Sequence, residues 1–140
     1  MSFKFETLEV WKAALDYLDL IYSIAEQLPR GEDYNLRSQI VRAATSVGLN
    51  IAEGSTGQTN LEQARFLGLA IRSLVETVAC QHIISRRGFL QDPTLLRRAY
   101  SDANQLARRL QAMRRTLVPE QAWIREEAAL YEEDPSLSEG

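Results

Sequence analysis

Residues 7–28 read TLEVWKAALDYLDLIYSIAEQL, and their spacing decides the fold. Leu8, Trp11, Leu15, Leu18, Tyr22 and Ala25 recur at alternating steps of three and four, the spacing of one side of an α-helix. A second seam, Val10, Ala14, Tyr17, Ile21, Ile24 and Leu28, lies about 110° round the same helix at about 100° per residue. Glu9, Lys12, Asp16, Asp19, Ser23 and Gln27 fill the polar remainder. A helix packed against one core needs an apolar stripe little more than ~100° wide. This helix carries about twice that, so it predicts a second contact besides the core. Pro29 and Gly31 end it.

Three further segments repeat the pattern. Leu36, Ile40, Ala43, Ala44, Val47 and Ile51 form a seam that predicts a helix opening at Asp33 or Asn35 as cap and stopping at Gly54. Thr59-Asn60-Leu61-Glu62 is a capping box and starts a third helix. Ala64, Leu67, Ile71, Leu74 and Val78 are its seam, with Phe66, Leu69, Ala70, Val75 and Ile83 apolar around it. Arg86 and Arg87 suit its negative end, and Gly88 is its C-terminal cap. A fourth helix opens at Asp92-Pro93 and keeps the spacing through Leu96, Ala99, Ala103, Leu106, Leu110, Met113 and Leu117 until Pro119. Four such helices on short loops pack as antiparallel neighbours. The fold expected is all-α, an up-down-up-down four-helix bundle over residues 1–118. An acidic C-terminal extension follows over 119–140, with a short helix anchored by Trp123, Ile124 and Leu130 and then a frayed end.

Composition agrees with one globular domain. A 140-residue chain that is 45% hydrophobic and 25% charged is long enough to bury a core without a staple. The single cysteine, Cys80, excludes an internal disulfide and fits a reducing compartment. Uninterrupted apolar runs are short, and the N-terminus has no signal pattern, so a cytoplasmic protein with no membrane partner is expected. The net charge of −3 conceals a segregation into blocks: −4 over residues 1–35, +1 over 36–85, +6 over 86–118 and −6 over 119–140. Such asymmetry speaks to partners rather than to fold.

The stretch Phe5-Glu6-Thr7-Leu8-Glu9-Val10-Trp11-Lys12-Ala13 resembles the opening of the four-helix-bundle proteins found in 23S ribosomal RNA intervening sequences. Leu36-Arg37-Ser38-Gln39-Ile40-Val41-Arg42-Ala43-Ala44 and Asn50-Ile51-Ala52-Glu53-Gly54 resemble the same family. So do Phe66-Leu67, Ser73-Leu74, Glu76 and Arg87-Gly88-Phe89-Leu90. The resemblance implies a bundle that assembles into rings of five. Related to it is the accessory variability protein of diversity-generating retroelements, a basic pentamer that binds a reverse transcriptase and nucleic acid. This chain departs at Gly48, where the family usually has proline, and at Arg72, where it has glycine before Ser73. Its acidic tail departs as well.

Little in the chain points to catalysis. His82 is the only histidine, and a di-iron bundle needs two Glu-x-x-His motifs. Cys80 and His82 point about 160° apart on one helix, which disfavours a nucleophile–base pair. No zinc motif and no phosphate-cradling glycine loop occurs. No catalytic, metal or cofactor residue is therefore assigned, and the chain is read as no enzyme. Asn50 and Glu53, beside Gly54, are neighbours that suit a structural corner between the second and third helices. Arg97, Arg98, Arg108, Arg109 and Arg115 lie off the fourth seam. They are the residues for phosphate, nucleic acid or an acidic protein surface, set against the plain reading of a solvated face. The function expected is a self-assembling helical scaffold or binding module, a homo-oligomer and by resemblance a pentamer. The alternative is a nucleic-acid-binding accessory protein whose arginines the acidic tail screens.

Overall fold

The computed structural model describes residues 2–57 and 59–119. It is a bundle of α1 (Glu9–Glu26), α2 (Ser38–Gly54), α3 (Asn60–Arg87) and α4 (Thr94–Leu117), with no strand among the described residues. Of the acidic extension expected over 119–140, only Pro119 falls within them.

The helices go round the bundle in chain order, each packed on the next and α4 on α1. Side-chain contacts fix their directions. Arg37, just before α2, donates from Nε to the Ala25 carbonyl at 2.8 Å and from Nη2 to that of Leu28, so α2 begins where α1 ends. Farther along, the Trp11 ring lies against Gly48. Gly54 abuts Phe66 near the next turn, while Ser46 meets Ser73 a few turns away. His82 packs on Tyr100, and Gly68 lies under Arg114. Numbers rise on one helix as they fall on its neighbour, which is the antiparallel arrangement the short loops demand.

The core lies where the seams converge. Tyr17, Ile21 and Ile24 of α1 meet Ile40, Val47 and Ile51 of α2, Leu67, Leu74 and Ile84 of α3, and Leu106 and Leu110 of α4, all buried. Small residues such as Ala44, Ala70, Ala99 and Ala103 are buried too, and bring the backbones close. Of the two seams of α1, the one through Val10, Ala14, Tyr17, Ile21 and Ile24 is the core seam.

Helix ends follow local chemistry. The Thr59 hydroxyl accepts from the Glu62 amide at 3.1 Å. Gly88 takes φ 66°, and the amides of Gly88 and Phe89 return to the carbonyls of Ser85 and Ile84. That is a Schellman closure, with Phe89 packed on the core behind it. The Asp92 carboxylate accepts from the Thr94 amide at 2.9 Å, which holds its pKa below the usual range.

One expectation is corrected. Neither Asp33 nor Asn35 caps α2. A π-helical turn, Asp33–Arg37, leads into it, and the Glu32 carboxylate accepts from the Leu36 amide at 3.4 Å and from the Asn35 amide group at 2.8 Å. The wide turn carries Arg37, paired with Asp33, onto the carbonyls of Ala25 and Leu28 at the end of α1. By length and composition alone α3 could cross a membrane, although its uninterrupted apolar runs are short. In the bundle its Leu67, Ala70, Leu74 and Ile84 are buried among the other helices, as in the central helix of a packed domain.

Candidate functional site

The bundle leaves apolar side chains uncovered on two sides. On α1, the other seam holds Trp11 and Leu18 half-buried against the edge of the core and leaves Leu15 and Tyr22 exposed. Trp11 rests on Gly48, where an added Cβ would stand 3.2 Å from its Cζ3, so this seam borders α2. That contact accounts for a glycine in the interior of α2. The Phe5 ring meets Trp11 edge-on at 4.7 Å, and Leu15 and Tyr22 remain 39% and 46% exposed.

On the other side a groove runs between α3 and α4. It consists of two hollows of about 240 and 170 Å³ that meet at Tyr100. Val75, Val78, His82, Leu96, Tyr100 and Ala107 are among the residues of its wall. Val75 is 61% exposed and Tyr100 51%. Since α1 and α3 each pack on both α2 and α4, the α1/α2 face and the α3/α4 groove lie on opposite sides of the bundle.

The five arginines singled out on α4 are all exposed, and none forms an ion pair among the described residues. At about 100° per residue they fall on two tracks. Arg97, Arg108 and Arg115 follow the α3 side, and Arg97 lines the groove. Arg98 and Arg109 follow the α1 side, where Arg109 borders a hollow with Asp16 and Asp102. Sequence reading missed Arg114, which is buried. Its guanidinium covers Gly68, where a Cβ would stand 3.0 Å from Nη2. Gly68 in a helix interior was the only signal, and it sits on a different helix.

Asn50 and Glu53 do not pair. The Asn50 amide donates to the Ser46 carbonyl at 2.9 Å and to Ser46 Oγ at 3.0 Å, and Ser73 Oγ lies 2.9 Å from Ser46 Oγ. Asn50 is thereby joined, through Ser46, to α3. Glu53 is exposed, and its carbonyl accepts from the Thr56 hydroxyl at 2.7 Å. Gly54 ends α2 without a positive φ; an added Cβ would stand 2.8 Å from the Cβ of Phe66. Its role is close approach of two helices rather than a left-handed cap.

One polar chain crosses the core. Gln81 Nε2 donates to Tyr17 Oη at 2.7 Å, Tyr17 Oη donates to Thr77 Oγ1 at 2.7 Å, and Thr77 donates to the Leu74 carbonyl at 2.6 Å. Burial pushes the Tyr17 phenol up to about 12, against the opposing effect of its hydrogen bonds. Cys80 is buried, and burial, aided by Glu76, raises its thiol pKa, which disfavours the thiolate. His82 is exposed and meets Tyr100 edge-on at 6.1 Å. No cluster of metal-ligating side chains occurs among the described residues.

The family model of the 23S rRNA-intervening sequence protein matches residues 6–112. Among solved structures, the chain is similar to a protein of unknown function from the S23 ribosomal protein family of Bacteroides thetaiotaomicron. The TM-score is 0.69 at 20% identity, covering 75% of this chain and 97% of the other, a likeness of fold. No curated protein matches.

Proposed function

The chain belongs to the 23S rRNA-intervening sequence protein family, and on that premise we propose that it is a non-enzymatic scaffold that assembles with copies of itself. One observation carries this reading: apolar side chains stand exposed on two opposite sides of an already complete core. Large contiguous apolar patches are rare on monomers, and exposed apolar side chains on two sides fit cover by sister subunits. Two of the groups weighed for chemistry serve packing, Asn50 in a helix tie and Cys80 as a buried thiol. Five copies is the number the family resemblance supplies. The mass of the full chain in solution tests the proposal.

A second reading, nucleic-acid binding, rests on the exposed arginines of α4. Arg98 and Arg109, on the side away from the groove, are the residues that carry it. Replacing both with glutamate is expected to weaken binding to a short DNA or RNA at low salt by roughly tenfold, because phosphate contacts release counterions. The difference should shrink as salt rises. Fluorescence anisotropy at two salt concentrations measures it, and equal binding by both proteins sets this reading aside.

A further inference from the structure

The two uncovered faces differ in charge. On the α1/α2 face, Asp19 stands four residues from Leu15 and three from Tyr22, and Glu26 stands four from Tyr22, so both acids border the apolar seam. Lys12, the base on that helix, sits 3.6 Å from Glu9. The α3/α4 groove has a basic border. Arg97 lines it, Arg108 is one turn from Asn104, which also lines it, and Arg86 is one turn from His82. Asp19, Glu26, Arg86, Arg97 and Arg108 are all exposed.

A two-fold contact would place each face against itself. Joining two α1/α2 faces brings acid to acid, and joining two α3/α4 grooves brings arginine to arginine. Like charges juxtaposed across an interface are costly. Joining one face to the other matches apolar seam to apolar groove and acid to base. A contact between two different surfaces is heterologous, and such contacts close into rings when the rotation per copy divides a full turn. A ring of this kind requires two different faces on each subunit, and the bundle has them.

Resting on the scaffold reading, we infer that the α1/α2 face of one copy seats in the α3/α4 groove of the next, with Asp19 and Glu26 facing Arg97 and Arg108 of that neighbour. Leu15 and Tyr22 then cover the wall built by Val75 and Tyr100. Burial of these side chains supplies the attraction, and the charges select head-to-tail over two-fold pairing.

Charge reversal tests the pairing in the full chain. Asp19→Arg with Glu26→Arg reverses one face; Arg97→Glu with Arg108→Glu reverses the other. All four positions are exposed, and circular dichroism checks that each protein keeps its helices. Light scattering over a dilution series reads the assembly. Each double variant is expected to need at least about tenfold more protein for half-assembly than the unaltered chain, whereas the variant with all four changes recovers to within about threefold. A two-fold contact gives no such recovery. If the unaltered chain assembles and the reversals have no effect, or the fourfold variant stays weak, the head-to-tail pairing is overturned while the scaffold reading stands. If the unaltered chain is itself a monomer, the scaffold reading fails first, and the two faces are left to a different occupant.

Discussion

Gly54→Val is expected to lower the free energy of unfolding by about 3 kcal/mol, the upper range for forcing extra carbon into a packed contact. The reason is geometric. A Cβ at residue 54 would lie 2.8 Å from the Cβ of Phe66 and 3.4 Å from the Gln63 carbonyl oxygen. Phe66 Cβ is fixed to the α3 backbone, so no rotamer change relieves the clash and the two helices must part. Gly54→Ala meets the same obstacle with less bulk and a gain of about 1 kcal/mol in helix propensity, so its loss should be smaller. Urea unfolding at one fixed protein concentration measures both, since the proposed self-association would add a concentration term. A Gly54→Val midpoint equal to that of the unaltered chain would show that the corner is not closely packed.

Between about pH 10 and pH 12, stability is expected to fall by about 2–3 kcal/mol through Tyr17 alone. Burial pushes this phenol up to about 12, from 10.0 for a free tyrosine. The folded state thus keeps the proton that the unfolded chain releases above pH 10. Below pH 10 both states hold it, and the contribution is fully present. As pH rises through the folded value, the unfolded state binds fewer protons and gains ground. Tyr17→Phe removes this pH dependence. At neutral pH it costs about 1–3 kcal/mol, because the Gln81 amide and the Thr77 hydroxyl lose their buried partner. Urea midpoints at several pH values resolve the two effects. An equal alkaline loss in both proteins would place the titrating group elsewhere.

Much of this molecule was legible because its signals are local. The seams of all four helices, the Thr59 cap and the left-handed Gly88 depend on residues within a turn or two of each other. What escaped depends on distant chain. Both seams of α1 are apolar, and only packing against the other helices, Tyr17 on Thr77 and Gln81 among its contacts, makes the Val10 seam the inner one. The start of α2 is set by Arg37 reaching carbonyls of α1. Arg114 looks like its neighbour Arg115 in sequence, and only Gly68, on another helix, makes room for it.

The same distinction explains the motif Asn50-Ile51-Ala52-Glu53-Gly54. Within it, Asn50 joins Ser46, Ile51 fills the core and Gly54 admits Phe66. Three of its five residues thus serve packing between α2 and the rest of the bundle, while Glu53 remains exposed. The surplus seam of α1 and the apolar positions all round α3 were readable from spacing. The groove between α3 and α4 needed the fold, since Val75 and Tyr100 share a groove only once the helices are antiparallel.

Light scattering of the full chain at micromolar concentration bears most directly on self-assembly through these faces. Five copies of a 15.9 kDa chain give a discrete species of about 80 kDa, the expected result. A single species of about 16 kDa at that concentration would contradict assembly and leave both apolar faces without a sister subunit to cover them.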